Sequence, residues 1–161
     1  MEEKMCTIAL NSILSIGGKR FANLIKRFGS AQSIIKAKES DLCQVAGIGK
    51  KTAKHIKMLQ YNQIAAKEIE KSKKLGVQIV TQGDPLYPAA LLNIHYPPPV
   101  IYILGELIAS DMFSIAVIGS RKPNYYGKKT AKILSKAAVK KGFAVISGMA
   151  RGIDSYAHEG A

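Results

Sequence analysis

The chain has 161 residues, 47% hydrophobic and 22% charged, with 24 Lys and Arg against 11 Asp and Glu and a formal net charge of +13. That apolar fraction supports a core and excludes a disordered polycation, and the length allows one ordinary domain or two small ones. Cys6 and Cys43 stand in no CxxC or Cys/His cluster, which argues against a disulfide scaffold or a metal site and fits a reducing cytosol. The N-terminus carries Glu2 and Glu3 with no apolar signal region, and the most apolar stretch, residues 100–104, is too short to span a bilayer. The expectation is a cytoplasmic protein with no membrane partner and no cofactor, facing a polyanion.

Charge is segregated. Residues 1–75 hold 15 basic and 6 acidic side chains, residues 76–120 have no Lys or Arg, and residues 121–151 hold 9 basic and no acidic ones. A surface built only for solubility interleaves both signs; two basic blocks around a neutral, Pro-containing segment suit two phosphate-facing surfaces.

In chain order, Ile8, Leu10, Ile13 and Leu14 form a first apolar stripe, broken by Gly17 and Gly18. Phe21, Leu24, Ile25 and Phe28 continue at helical spacing up to Gly29, a helix-ending glycine. Ser30 and Ser40 are placed to cap two short helices. Gly47, Ile48 and Gly49 then turn the chain into a long helix expected over 50–74, ended by Gly76. A Gly-apolar-Gly turn between helices leaves backbone N–H groups facing outward beside a positive helix end, which makes an anion cradle. Gly47, Gly49, Lys50 and Lys51, with Lys54 nearby, are its candidate DNA-binding residues, and Ile48 is the anchor between the helices. This segment resembles the helix-hairpin-helix motif, and residues 15–25, SIGGKRFANLI, look like a degenerate copy with Gly18 in the anchor's place. Each hairpin either touches DNA or only packs, as in SAM-like domains.

Further along, residues 114–118 and 143–146 read as strands buried on both faces, with a helix over 126–141 between them. Strand, helix and strand make a βαβ unit, so the loops after the two strands leave the same sheet edge, where doubly wound folds bind ligands. Those loops hold Gly119, Ser120 and Arg121, and Ser147, Gly148, Arg151 and Gly152. The glycines allow close backbone approach to a ligand, the serines offer hydroxyls, and the arginine forks match phosphate oxygens. Tyr125 or Tyr126 can present a ring to a base, and Asp154 either caps the next helix or orients an arginine. Lys128, Lys132, Lys136 and Lys140 are either a solvated face, with Ala131, Leu134 and Ala138 inward, or a nucleic-acid track. GxGxxG is absent, and neither copy of GKKT fits the nucleotide-triphosphate loop GxxxxGK[ST]. His55, His95 and His158 are isolated, no carboxylate pair stands at acid–base spacing, and no serine sits in a GxSxG elbow, so no catalytic constellation is expected.

Three segments in order, residues 83–107, 116–131 and 145–161, resemble the DNA-processing protein A family, also called Smf, through the signatures GSR and SGMARGID. The resemblance implies an α/β fold. An N-terminal all-α SAM-like helix-hairpin-helix domain (1–76) would precede the first part of an extended, truncated Rossmann-like parallel sheet (77–161). It implies a non-enzymatic recombination mediator of natural transformation that binds single-stranded DNA, protects incoming strands and loads the recombinase RecA. It also implies a homo-oligomer in full-length members and a DNA pocket built from the seven loop residues named above. Family members continue well past the region matched here, so this chain alone is expected to self-associate or to fold poorly beyond Pro85. Two readings of other classes stand beside it: a Rossmann-like protein for nucleotide-derived ligands, phosphoribohydrolase-like in kind, and a duplex-binding hairpin module.

Overall fold

The computed structural model describes residues 1–107 and 113–161, which divide into two compact units, Met1–Gly105 and Glu106–Ala161. Among the described residues, no helix is long and apolar enough to cross a membrane.

The first unit begins with six helices: α1 (Glu2–Asn11), α2 (Gly18–Phe28), α3 (Ala31–Lys36), α4 (Glu39–Cys43), α5 (Lys50–Lys57) and α6 (Tyr61–Lys74). Leu10, Leu24, Ile34, Leu42 and Ile56, one from each of the first five, are fully buried in a single cluster. Burying each contributes about 1.5–3 kcal/mol. The strands β1 (Val77–Thr81) and β2 (Val100–Leu104) pair antiparallel, with Val77 opposite Leu104, and the short α7 (Ala89–Leu92) lies between them in sequence. A second cluster of Ile8, Ala65 and Val100, joined by Ile79, binds α1 and α6 to these strands. That packing carries the unit to Gly105, beyond the division expected after residue 76.

The helical half is a duplication. The helix–turn–helix pattern of residues 10–20 recurs position for position at 42–52, an offset of 32 residues. Gly17 precedes α2 at φ −93°, ψ −178°, and Gly49 precedes α5 at φ −91°, ψ 171°. This corrects the expected register of the first hairpin. Its anchor is Ile16, 3% exposed against 4% for Ile48, and Gly18 is the first residue of α2.

Three other expectations change here. The helix expected over 50–74 breaks at residues 58–60, although no Gly or Pro stands there. Leu59 packs on the main cluster while Ala65 joins the second, and one straight helix cannot serve both. Ser30 caps α3 as expected, its hydroxyl accepting from the Ser33 amide, but the α3 start is also closed by the Glu3 carboxylate, which accepts from the Ala31 and Gln32 amides. Ser40 lies inside α4 rather than capping it, and Leu14, expected in the apolar stripe, is 104% exposed.

Asp84 fastens the turn after β1. Its Oδ2 accepts from the Thr81 amide at 2.6 Å, the Thr81 hydroxyl at 3.0 Å and the Lys4 ammonium at 2.9 Å. Burial pushes this carboxyl up, but those donors outweigh it and hold it below the usual carboxylate range. A lowered folded-state pKa stabilises the fold above the unfolded value, about 3.9, and that contribution is lost as pH falls through the folded value. Asp84→Asn is therefore expected to lower the melting temperature at pH 7, through a loss of roughly 1–3 kcal/mol of stability, and to flatten the loss of stability below about pH 4. Thermal melts across a pH series check both; parallel pH profiles for the two proteins would refute the assignment.

The second unit contains β3 (Ser114–Ala116), α8 (Tyr125–Lys140), β4 (Ala144–Ile146) and α9 (Ile153–Gly160). The strands pair parallel, with Ser114 opposite Ala144 and Ala116 opposite Ile146. They are shorter than expected and not buried on both faces: Ile115, Ile118 and Ile146 stay largely exposed. Two strands cannot shield one another's faces, and the helices cover only part of them. Against α9, α8 presents small residues. Ala131 and Ser135 are buried there, and a side chain at Gly160 would strike the Lys132 carbonyl. Leu134, expected inward, is exposed. The lysine ladder therefore divides. Lys128 and Lys132 lie over the Tyr156 ring, at 5.6 and 5.1 Å, and Lys132 pairs with Glu159, while Lys136 and Lys140 are exposed.

Candidate nucleic-acid interface

The parallel pairing brings the loops after β3 and β4 to one sheet edge, and Val117 N–H extends the ladder to the Ile146 carbonyl at 3.0 Å. From there the loops are fastened to each other. The Ser147 hydroxyl donates to the Val117 carbonyl at 2.7 Å, and the Ile153 amide donates to the Ser120 carbonyl at 3.1 Å. Asn124 caps α8 by accepting from the Gly127 amide at 2.8 Å, so the first loop ends at a fixed point. Ser120 Oγ accepts from the Lys122 amide at 3.1 Å, closing a turn that includes Arg121.

The glycines answer to this packing. A Cβ on Gly119 would stand 2.8 Å from Ile153, and one on Gly152, at φ +94°, would strike the Ser120 carbonyl oxygen. These positions need room for one loop against the other. The geometry also corrects Asp154. It is 6% exposed, and its Oδ2 accepts from the Gly148 and Ala150 amides at 3.1 and 3.4 Å, so it neither caps α9 nor holds an arginine. By drawing those amides inward it helps impose the left-handed turn at Met149, φ +56°.

The loops bring Arg121 and Arg151 together. With Lys122 and Ala150 they line one cavity of about 620 Å³, and all three cations are exposed. None of the three forms an ion pair among the described residues. Two guanidinium forks and an ammonium group at one opening make it electropositive; a guanidinium has the geometry to match two phosphate oxygens at once, and an ammonium adds a point charge. The other five predicted loop residues, Gly119, Ser120, Ser147, Gly148 and Gly152, support the cavity through the contacts above. Tyr125 and Tyr126 lie outside it, exposed on the first turn of α8. Lys122 was missed in the sequence, although it directly follows Arg121 in the same loop.

In the first unit the two hairpins differ. Gly47 takes φ +87°, and Gly47, Gly49, Lys50 and Lys51 are all exposed around the start of α5. The matching start of α2 is covered: a Cβ on Gly18 would stand 2.7 Å from the Tyr96 carbonyl oxygen. That loop is pinned by Gln82, which donates to the Pro97 carbonyl at 2.8 Å, and by the Tyr87 hydroxyl, which donates to the Pro98 carbonyl at 2.7 Å. Of the two anion cradles read from the sequence, the second is the open one.

Tandem helical hairpins and a βαβ unit with paired cationic loops define a protein class that the comparisons identify. Residues 78–161 match the DNA recombination-mediator protein A family, and residues 8–58 match the SAM-like helix-hairpin-helix tandem. The chain belongs to the DNA recombination-mediator protein A family. It is 31% identical over 160 residues to Protein Smf of Synechocystis sp., covering 97% of this chain and 40% of that protein. It is 32% identical over 87 residues to the DNA processing protein DprA of Bacillus subtilis, covering 53% of this chain and 29% of that one. The X-ray structure of DNA processing protein A from Streptococcus pneumoniae superposes with a TM-score of 0.66 at 20% identity, covering 98% of this chain and 53% of that one. That likeness shows a shared α/β fold. The chain spans two fifths or less of the length of these curated relatives.

Proposed function

We propose that the chain binds single-stranded DNA through its phosphate backbone, as part of a recombination mediator that protects incoming strands and loads RecA in natural transformation. The observation that carries this reading is the convergence of Arg121 and Arg151, from two different loops, on one cavity without a carboxylate in its lining. Family membership supports a role in DNA processing. The open cradle at Gly47, Gly49, Lys50 and Lys51 is a secondary contact for the same backbone. The protein acts in the cytoplasm as a binder rather than an enzyme, and exposed Ile115, Ile118 and Ile146 suit self-association. In competition gel shifts across a salt series, single strand should outcompete duplex. The slope of log K against log salt should be about −0.7 for each phosphate neutralised. Preference for duplex would instead support the hairpin module alone.

A nucleotide-derived ligand is the second reading, favoured by the cavity volume, which lies within the roughly 300–1,000 Å³ typical of small-molecule sites. Micromolar binding of a mononucleotide in calorimetry would select it over the polynucleotide.

A further inference from the structure

The duplicated hairpins have also diverged around their loops. Around the second hairpin loop, three α2 side chains fill the space. Arg20 lies against Gly47, Asn23 donates to the Ala46 carbonyl at 3.0 Å, and Arg27 donates to Gln44 Oε1 at 2.6 Å. Their counterparts around the first loop, 32 positions later, are Thr52, His55 and Leu59. The Thr52 hydroxyl reaches Ser15 at 3.1 Å, but Thr52 and Leu59 are shorter than the two arginines they correspond to, and a groove of about 620 Å³ lies between the first loop, α5 and α6. The loop residue that corresponds to Ala46 is Leu14, 104% exposed over this groove, and Met58 beside it is also exposed.

An exposed leucine and methionine flanking an open groove mark an interaction surface. The lining is mostly apolar, with Ile13, Leu14, Met58 and Ile64, and contains no Phe, Tyr or Trp ring on which a nucleotide base would stack. Its charged and titratable side chains are Lys51 and His55, with no carboxylate, in a region where 15 basic residues face 6 acidic ones. Apolar anchors spaced along one helix face, with acidic residues beside them, match this shape and charge.

We infer that the groove left open by Thr52 and Leu59 docks an acidic amphipathic helix of a partner protein, with Leu14 and Met58 gripping its apolar face. The test is fluorescence anisotropy of the full chain with a labelled 16-residue peptide carrying Leu at i, i+3, i+4 and i+7 and Glu elsewhere. The chain should bind this peptide, and Leu14→Glu, a change at a fully exposed position, should weaken binding at least tenfold with circular dichroism unchanged. A version with Lys in place of Glu should bind at least tenfold more weakly to the unaltered chain. Methyl shifts on binding should centre on Ile13, Leu14, Met58 and Ile64. No binding, equal binding by Leu14→Glu, or equal binding of the lysine peptide would each overturn the proposal. So would a concentration-dependent dimer that Leu14→Glu abolishes.

Discussion

Replacing Arg121 and Arg151 together with alanine should lower affinity for single-stranded DNA by about a hundredfold or more while leaving the fold intact. Each guanidinium is exposed at the cavity mouth and forms no ion pair among the described residues, so its removal orphans no buried partner. A hydrogen bond to a charged group contributes about 1.5–3 kcal/mol, and about 1.4 kcal/mol is tenfold in affinity, so two arginines account for roughly two orders of magnitude. The loss should be alike for all sequences, because phosphate contacts carry no base information. If each arginine neutralises one phosphate, the salt slope should flatten by about 1.4. Fluorescence titration of labelled homopolymer and mixed-sequence oligonucleotides at several salt concentrations checks these points. Unchanged affinity, or a loss confined to one sequence, would remove the phosphate cavity from the proposal.

Gly152→Val should unfold the second unit without touching the first. Position 152 holds φ +94° and ψ −133°, a region open to glycine and closed to β-branched residues. The obstruction is backbone: the added Cβ would strike the Ser120 carbonyl oxygen and stand 2.7 Å from the Arg121 Cα, atoms no rotamer change can move. Backbone strain of about 1–3 kcal/mol and overpacking of about 1–3 kcal/mol add to a large share of a small unit's stability. Gly142→Asn is the comparison, since that glycine also has positive φ, +83°, but a Cβ added there would have nothing within 4 Å, and Asn tolerates such backbone. It should cost less than about 1 kcal/mol. Amide exchange followed by NMR separates the outcomes. Loss of protection in residues 113–161 with retention in the hairpins is expected for Gly152→Val, and uniform protection would show that the loops do not need that close approach.

The arginine pair was legible from residue order, whereas the close approach at Gly152 was not. Apolar spacing located α2, α8 and the cluster around Leu24, because helical periodicity is a local property of residues three and four apart. The order of strand, helix and strand placed Arg121 and Arg151 at one sheet edge, since a parallel pair joined by a helix leaves no other arrangement. The register of the first hairpin was misread because two adjacent glycines offer two alignments. Only the burial of Ile16, together with the matching backbone of Gly17 and Gly49, selects between them.

What the amino-acid order determined by itself was local: which segments are helical, which loops are cationic, and that the charge falls in two blocks. Family resemblance was readable at the same level, since its signatures are short and contiguous. Tertiary structure alone decided which glycines make room for a neighbouring loop, where Asp154 directs its carboxylate, which hairpin is covered by the Tyr96 carbonyl and which groove stays open beneath Leu14. Each of these depends on groups distant in sequence competing for one volume or one hydrogen bond. That competition has no signature in residue spacing and is settled only when the chain is packed.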